Sequence, residues 1–89
     1  VIFCMVIFTT SLFRQKFKKL PPEIKERAKE GEKMFRENPF NPKLETHKLH
    51  GKYRRYWAFS VTNIYRIMFE FLGGGEIVFI DIDTHNIYR

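Results

Sequence analysis

Hydrophobic positions in the first half of the chain predict one strand followed by two helices. The apolar run over residues 2–8 has no polar alternation, which is typical of a strand buried on both faces. Phe13, Phe17 and Leu20 then recur at spacings of four and three, so this segment predicts a helix with one apolar face. Residues 23–37 repeat the helical spacing after a Pro-Pro pair. We therefore expect a tight antiparallel helical hairpin.

The second half of the chain alternates apolar and polar residues with the period of two that is typical of strands. This pattern predicts strands over residues 56–61, 64–71 and 76–83, and three glycines at 73–75 predict the turn of a hairpin. The element order is β-α-α-β-β-β. We expect residues 1–89 to form a single α+β domain, with the helical hairpin on one face of a mainly antiparallel four-stranded sheet. The other face of the sheet is left for function.

Two segments depart from these regular patterns. Gly31 interrupts the second helix, where glycine costs about 1 kcal/mol relative to alanine, so we expect it to allow close packing against the first helix. Residues 38–51 contain Asn, Pro and Gly in combinations typical of turns, which predict a loop.

The chain carries a formal net charge of +6, and its basic residues cluster in residues 14–19 and 48–55. Such charge can serve solubility alone, but the clustering favours a polyanionic partner such as RNA, DNA or an acidic protein. In the second cluster, cations alternate with aromatic residues, which suits single-stranded RNA through charge and base stacking. The alternating residues are Lys52, Tyr53, Arg54, Arg55, Tyr56 and Trp57. We expect Trp57 to lie in the core and some of the cations to contact RNA.

The single cysteine and the short apolar run indicate a cytoplasmic protein without a membrane span. Cys4 cannot form an internal disulfide, which suits a reducing compartment. It lies within the apolar run, so we expect a small buried hydrophobic residue and not a nucleophile. The run itself is too short to cross a bilayer.

Arg66 and His85 are the first candidates for chemistry. Arg66 lies within an apolar strand, on the face that points away from the predicted helices. It could form an ordinary ion pair with Glu70 or Glu76, or its planar guanidinium could bind a phosphate group. His85 follows the last strand, where a histidine is usually a plain surface residue but is also suited to general acid-base catalysis.

Two further pairs of residues could bind a metal ion, and for each we prefer another interpretation. His47 and His50 are three residues apart, but zinc would need two more ligands at sensible positions. As loop residues these histidines could have no role, or one of them could act as a base. Asp81 and Asp83 share a strand face, and we expect them to be solvent-facing residues of an exposed strand.

In this order along the chain, these features resemble the RelE/ParE superfamily of type II toxin-antitoxin toxins. The resemblance covers nearly the whole chain and includes the β-α-α-β-β-β order. The stretches that carry it are Phe17-Lys18-Lys19-Leu20-Pro21, Asn38-Pro39, His47-Lys48-Leu49-His50-Gly51-Lys52, Tyr65-Arg66-Ile67 and Thr84-His85-Asn86-Ile87-Tyr88-Arg89.

The resemblance implies a fold like that of microbial ribonucleases and, for the RelE branch, cleavage of mRNA in the ribosomal A site without a metal cofactor. In that branch a base deprotonates the ribose 2′-OH, an arginine stabilises the phosphorane, and an acid protonates the 5′-oxygen. Matching positions give Arg66 as the arginine, His85 as the acid or acid-base, and His47 as a base. The predicted RNA-binding residues are His50, Lys52, Arg54, Arg55 and Tyr88.

Departures from the family pattern leave the assignment of base and acid between His47 and His85 open. Some relatives have another histidine where this chain has Ser60, and only Arg89 is basic after His85. The ParE branch, which poisons DNA gyrase by binding, is therefore an alternative, as is a homologue that only binds an antitoxin. The trio of two histidines and an arginine favours the nuclease.

The resemblance also implies partners. A cognate antitoxin would cover the basic face, giving a toxin-antitoxin hetero-oligomer, and mRNA and the ribosome would be the targets.

Overall fold

The computed structural model describes residues 5–84, in which two helices pack on one face of a five-stranded mixed sheet. The elements are β1 (Val6–Thr9), α1 (Ser11–Lys18), α2 (Pro22–Glu37), β2 (His47–Lys48), β3 (Trp57–Ser60), β4 (Tyr65–Gly73) and β5 (Glu76–Thr84). The strand order is β1-β5-β4-β3-β2, in which β1 is parallel to β5 and the other neighbours are antiparallel. This α+β architecture confirms the predicted fold class. Within residues 5–84, neither helix has the length and apolar sequence that a membrane span requires.

The strand β1 lies at the edge of the sheet. Val6 and Phe8 are each 47% exposed, whereas Ile7 packs against the core beneath the helices. The expectation of a first strand buried on both faces is therefore wrong for residues 6–9. A continuous apolar run does not reveal whether a strand has a neighbour on both sides or a cover on both faces.

The core is a cluster of phenylalanines contributed by α2 and the three longest antiparallel strands. The Phe35 ring lies 4.8 Å from that of Phe59, 4.9 Å from that of Phe69 and 5.6 Å from that of Phe79. Each of these four residues is 1% exposed or less. Their edge-to-face and stacked contacts add to the free energy of apolar burial, so α2 is fixed on the sheet mainly by this cluster.

The opposite face of the sheet is partly covered by the segment that follows β2. Leu49 packs on Ala58 and Met68, and Tyr53 and Tyr56 pack at the margin of this second cluster. The expectation that the whole face is open is therefore wrong, because this segment covers the part of the face around Ala58 and Met68.

The predicted loop over residues 38–51 contains the two-residue strand β2. His47 pairs with Ala58 and Lys48 with Trp57, and the Leu49 backbone N–H donates to the Tyr56 carbonyl at 3.0 Å. This raises the strand count from the predicted four to five. Two residues are too few to show a period of two, so the sequence pattern could not reveal this strand.

The helix α1 is attached to β5 at its start. Thr10 is its N-cap, because its hydroxyl accepts from the Phe13 backbone N–H at 3.0 Å. The same hydroxyl donates to the Ile80 carbonyl at 2.7 Å. The Thr10 backbone N–H donates to the Phe79 carbonyl at 3.1 Å. The start of α1 therefore follows the edge of β5 beyond the last residue of β1.

Lys16 attaches the last turn of α1 to β5 through two carboxylates. Its Nζ lies 2.9 Å from Asp81 Oδ1 and 2.9 Å from Asp83 Oδ2. The Asp81 side chain is only 14% exposed, so the expectation that both aspartates face solvent is wrong for Asp81. The hydrogen bond from Lys16, together with one from the Thr84 backbone N–H, lowers the pKa of Asp83. Burial acts to lower the pKa of Lys16, but the two carboxylates outweigh it and this pKa is raised.

The predicted glycine hairpin is confirmed. Gly73 pairs with Glu76, and Gly73, Gly74 and Gly75 have φ of 91°, 61° and 80°. Residues with side chains rarely adopt such angles, so glycine is required here.

Gly31 lies in the middle of α2 and faces the sheet. A Cβ atom on Gly31 would meet Cε2 of Phe59 at 3.6 Å, which is an ordinary van der Waals distance. The expectation that Gly31 allows close packing against α1 is therefore wrong, since its nearest side-chain neighbour belongs to β3.

We predict that Gly31→Ala raises the free energy of unfolding by about 0.5–1 kcal/mol, because alanine restricts the unfolded chain and fits the space available. The matched change Gly74→Ala should lower it by about 1–2 kcal/mol, because Gly74 has a left-handed backbone. Urea unfolding of both variants measures the two signs. A loss of stability in Gly31→Ala would contradict the described packing.

We also predict that part of the stability disappears in acid through Asp83. Its pKa in the folded state lies below its ordinary value of 3.8, so the unfolded state takes up the proton first as the pH falls. The contribution is present above about pH 4 and is lost as the pH falls through the folded-state pKa. Urea unfolding at a series of pH values should show a steeper acid loss for the unmodified chain than for Asp83→Asn. Identical slopes would show that the carboxylate makes no such contribution.

Candidate functional site

The register of the sheet brings Arg66 and His47 to the same face. Arg66 on β4 lies opposite Ser60 on β3 and opposite Asp83 on β5. His47 on β2 lies opposite Ala58, which precedes Ser60 by two positions on β3 and therefore shares its face. Two strand spacings and two residues along the strand separate the Cα atoms of His47 and Arg66 by about 12 Å. A nucleotide backbone can span this distance between two long side chains.

The Arg66 guanidinium is held by neutral groups. Its Nη1 donates to the Thr62 carbonyl at 2.9 Å and to the Tyr65 carbonyl at 3.3 Å. The Thr62 carbonyl belongs to the reversal between β3 and β4, and Tyr65 is the first residue of β4. These carbonyls orient the guanidinium without cancelling its charge. Among residues 5–84, no carboxylate lies within 4 Å of it.

Neither acidic residue considered as an ion-pair partner for Arg66 contacts it. Glu70 instead places Oε2 3.5 Å from Nε of Arg55. Glu76 lies at the opposite end of the sheet, beside the glycine hairpin. Within residues 5–84, the positive charge of Arg66 is therefore not paired with a carboxylate.

His47 is oriented by a backbone carbonyl. Its Nδ1 lies 2.9 Å from the Glu45 carbonyl oxygen. A carbonyl can only accept, so this contact assigns the hydrogen to Nδ1. In the neutral ring the lone pair then lies on Nε2, which is the nitrogen able to accept a proton.

Glu45 is a member of the site that the sequence analysis did not identify. It ends a short 3₁₀ turn over Pro42–Leu44 with a left-handed φ of 52°. Its side chain accepts from the Ser60 hydroxyl at 2.8 Å, and Ser60 lies directly across the sheet from Arg66. Glu45 thus connects the backbone that orients His47 with the strand beside Arg66. The Asn41-Pro42 signal predicts a turn but carries no information on where the following carboxylate points.

The basic residues of the 50–55 segment stay at the surface while its tyrosines are half-buried. Lys52 Nζ lies 5.2 Å from the Tyr53 ring centroid, and the Arg55 guanidinium carbon lies 5.9 Å from that of Tyr56. His50 and Arg54 are also exposed. The cations can therefore reach an anion, whereas the tyrosines are engaged with Met68 and Leu49 beneath them.

Trp57, expected in the core, packs against the core cluster but is only partly buried. Its ring packs edge-on against Phe40 at 5.6 Å and against Phe71 at 5.4 Å.

Cys4 and the C-terminal residues named in the sequence analysis, which include His85, Tyr88 and Arg89, lie outside the described residues. Within residues 5–84, no group of three or more His, Cys, Asp or Glu side chains is arranged to hold a metal ion. Asp81 and Asp83, considered above as a metal pair, instead bind Lys16.

The fold has clear counterparts among solved structures, although no protein-family pattern and no curated protein matches the sequence. A YoeB/ParE toxin from Agrobacterium tumefaciens aligns with a TM-score of 0.78 and 18% identity over 91% of this chain and 99% of that one. The archaeal RelE-RelB complex from Pyrococcus horikoshii aligns with a TM-score of 0.75 and 14% identity, over 94% of this chain and 98% of that one. The RelB-RelE antitoxin-toxin complex from Methanococcus jannaschii aligns with a TM-score of 0.68 and 26% identity, over 89% of this chain and 91% of that one.

These three alignments cover 91%, 94% and 89% of this chain. They confirm the resemblance seen in the sequence motifs, since proteins of the RelE, YoeB/ParE and YafQ types share this architecture at low sequence identity. The chain has the fold of the RelE/ParE superfamily of toxins.

Proposed function

We propose that the chain is the toxin of a type II toxin-antitoxin system and acts in the cytoplasm as a metal-independent, ribosome-dependent mRNA endonuclease that inhibits translation. The observation that carries the proposal is the Arg66 guanidinium, which is oriented by two carbonyls and has no carboxylate within 4 Å among residues 5–84. A half-buried cation of this kind, on a sheet face that also carries His47, suits the stabilisation of a phosphorane.

In the proposed reaction the ribose 2′-oxygen attacks the adjacent phosphorus and the bond from phosphorus to the 5′-oxygen breaks. The products are a 2′,3′-cyclic phosphate and a 5′-hydroxyl. Charge builds up on the non-bridging oxygens of the phosphorane. The Arg66 contacts to the described residues use only Nη1, so Nε and Nη2 can donate to those oxygens.

Proton transfer is assigned to the two histidines. His47 is the proposed base, because the Glu45 carbonyl accepts from Nδ1 and so places the lone pair of the neutral ring on Nε2, the nitrogen proposed to take the 2′-OH proton. His85 is the proposed acid for the 5′-oxygen, on the basis of the family resemblance and its position directly after β5 in the sequence. With the arginine supplying charge and the histidines moving protons, the reaction needs no metal ion.

The RNA would approach over the segment that covers the second cluster. His50, Lys52, Arg54 and Arg55 are exposed there, on the same side of the sheet as Arg66. Their cations suit the phosphate backbone on either side of the cleaved bond. Tyr88 is proposed to stack on a base, as the resemblance implies.

A cognate antitoxin is the proposed protein partner. Two of the similar structures are toxin-antitoxin complexes of RelE with RelB. An acidic or amphipathic antitoxin segment would neutralise the basic face and bury apolar surface, giving a hetero-oligomer.

We predict that Arg66→Ala lowers the cleavage rate by about 100-fold or more, because it removes the charge that stabilises the phosphorane. The measurement is cell-free translation with the purified chain, with mRNA 5′ ends mapped by primer extension. Arg27→Ala is the matched control, since Arg27 is an exposed arginine on α2. New ends within ribosome-occupied codons should appear with the unmodified chain and with the control, and should disappear with Arg66→Ala.

An arrest of translation by Arg66→Ala equal to that of the unmodified chain would contradict the proposal. The similarity to a YoeB/ParE toxin supports one alternative, in which the chain binds DNA gyrase without catalysis. That alternative requires inhibition of DNA relaxation by gyrase and no new mRNA ends. A homologue that only binds an antitoxin would give neither effect.

A further inference from the structure

Arg66 and Asp83 are cross-strand neighbours of opposite charge that do not pair. They lie directly opposite each other on β4 and β5, where side chains share a face and opposite charges normally attract. The guanidinium nevertheless has no carboxylate within 4 Å in the described part of the chain. The absence of this ion pair needs a physical cause.

The cause lies in the partners of the Asp83 carboxylate. Its Oδ2 accepts from Lys16 Nζ at 2.9 Å, and its Oδ1 accepts from the Thr84 backbone N–H at 2.8 Å. Both oxygens are thus engaged at the edge of the sheet nearest α1, and the charge is balanced by a cation other than Arg66.

Lys16 is held in place by the fold. The N-cap hydroxyl of Thr10 donates to the Ile80 carbonyl, which fixes the start of α1 on β5. Asp81 then gives Lys16 Nζ a second carboxylate at 2.9 Å, and the side chains of Lys16 and Asp81 are 35% and 14% exposed. The ammonium group is therefore fixed beside β5, unlike that of a mobile surface lysine.

We propose that Lys16 is a positioning residue that holds the Asp83 carboxylate away from Arg66 and so keeps the guanidinium available for a phosphate group. Without the Lys16 cation, the Asp83 carboxylate would be free to pair with Arg66, which lies directly opposite it on β4. An ion pair between them would neutralise the charge that RNA has to meet. The effect of Lys16 on RNA cleavage rests on the proposed function. The pairing of Asp83 with Lys16 and not with Arg66 does not depend on that function.

Four variants separate this role from a purely structural or general electrostatic one. Lys16→Met should lower the cleavage rate by about tenfold or more, since Arg66 then loses charge to Asp83. Lys16→Met combined with Asp83→Asn should restore the rate to within about threefold of that of Asp83→Asn alone. Lys16→Met combined with Asp81→Asn is the matched control, because it restores the same net charge but leaves Asp83 ionised, so the rate should stay low. Lys16→Arg keeps a cation and should retain activity.

A second readout does not depend on activity. The side-chain Nε–H resonance of Arg66 should shift in Lys16→Met and return toward its original position when Asp83→Asn is added. An unchanged Arg66 resonance in folded Lys16→Met would overturn the proposal. So would equal restoration of the cleavage rate by Asp81→Asn and by Asp83→Asn.

The two proposals can fail separately. If the unmodified chain produces no new mRNA ends, the nuclease function fails while the resonance still tests the partner of Asp83. If the unmodified chain cleaves and Lys16→Met cleaves equally well, the nuclease function stands and the role of Lys16 is overturned. If Lys16→Met does not fold, the test passes to Lys16→Arg, which keeps a cation at this position. A folded Lys16→Arg variant that has lost its cleavage activity would overturn the proposed role of Lys16.

Discussion

The alternation of side chains along β4 is the constraint on which both the core and the candidate site depend. Ile67 and Phe69 point toward the helices and are 1% exposed or less, whereas Arg66 and Met68 point to the other face. Pairing with β3 on one side and β5 on the other fixes this register. A slip of one residue would drive the guanidinium into the phenylalanine cluster, so the packing of α2 and the presentation of Arg66 are enforced together.

Electrostatic separation within the sheet is the second determinant of the site. Two cations near the end of β5, Arg66 and Lys16, have different kinds of partners. Arg66 is oriented by carbonyls that leave its charge uncancelled, while Lys16 binds both aspartates of β5. Arg66 and Asp83 are neighbours of opposite charge, but the position of α1 brings Lys16 to Asp83, so these two neighbours bind different partners. In this account the helix does more than cover the core, because it also determines which carboxylates the arginine can meet.

The sequence was sufficient for the features with strong local periodicity or specific turn residues. Both helices, the glycine hairpin and the face of Arg66 follow from such patterns. The edge position of β1 could not be predicted, because an apolar run does not show which strands lie beside it. The strand β2 could not be predicted either, because a segment of two residues shows no periodicity. Glu45 and the Lys16 pairs were missed because they join residues distant in sequence, 15 positions for Glu45 with Ser60 and 67 for Lys16 with Asp83. Charge type alone does not predict such partners.

The central claim is that Arg66 and His47 together receive an RNA phosphate. The most direct measurement is a titration of the chain with a short single-stranded RNA carrying 2′-O-methyl groups, which cannot be cleaved, followed by NMR of the arginine Nε–H and histidine ring resonances. The account predicts that Arg66 and His47 shift together and saturate at the same RNA concentration, while Arg36, bonded to Glu32 on α2, does not move. Shifts confined to arginines of the helices, with Arg66 unchanged at saturation, would contradict it.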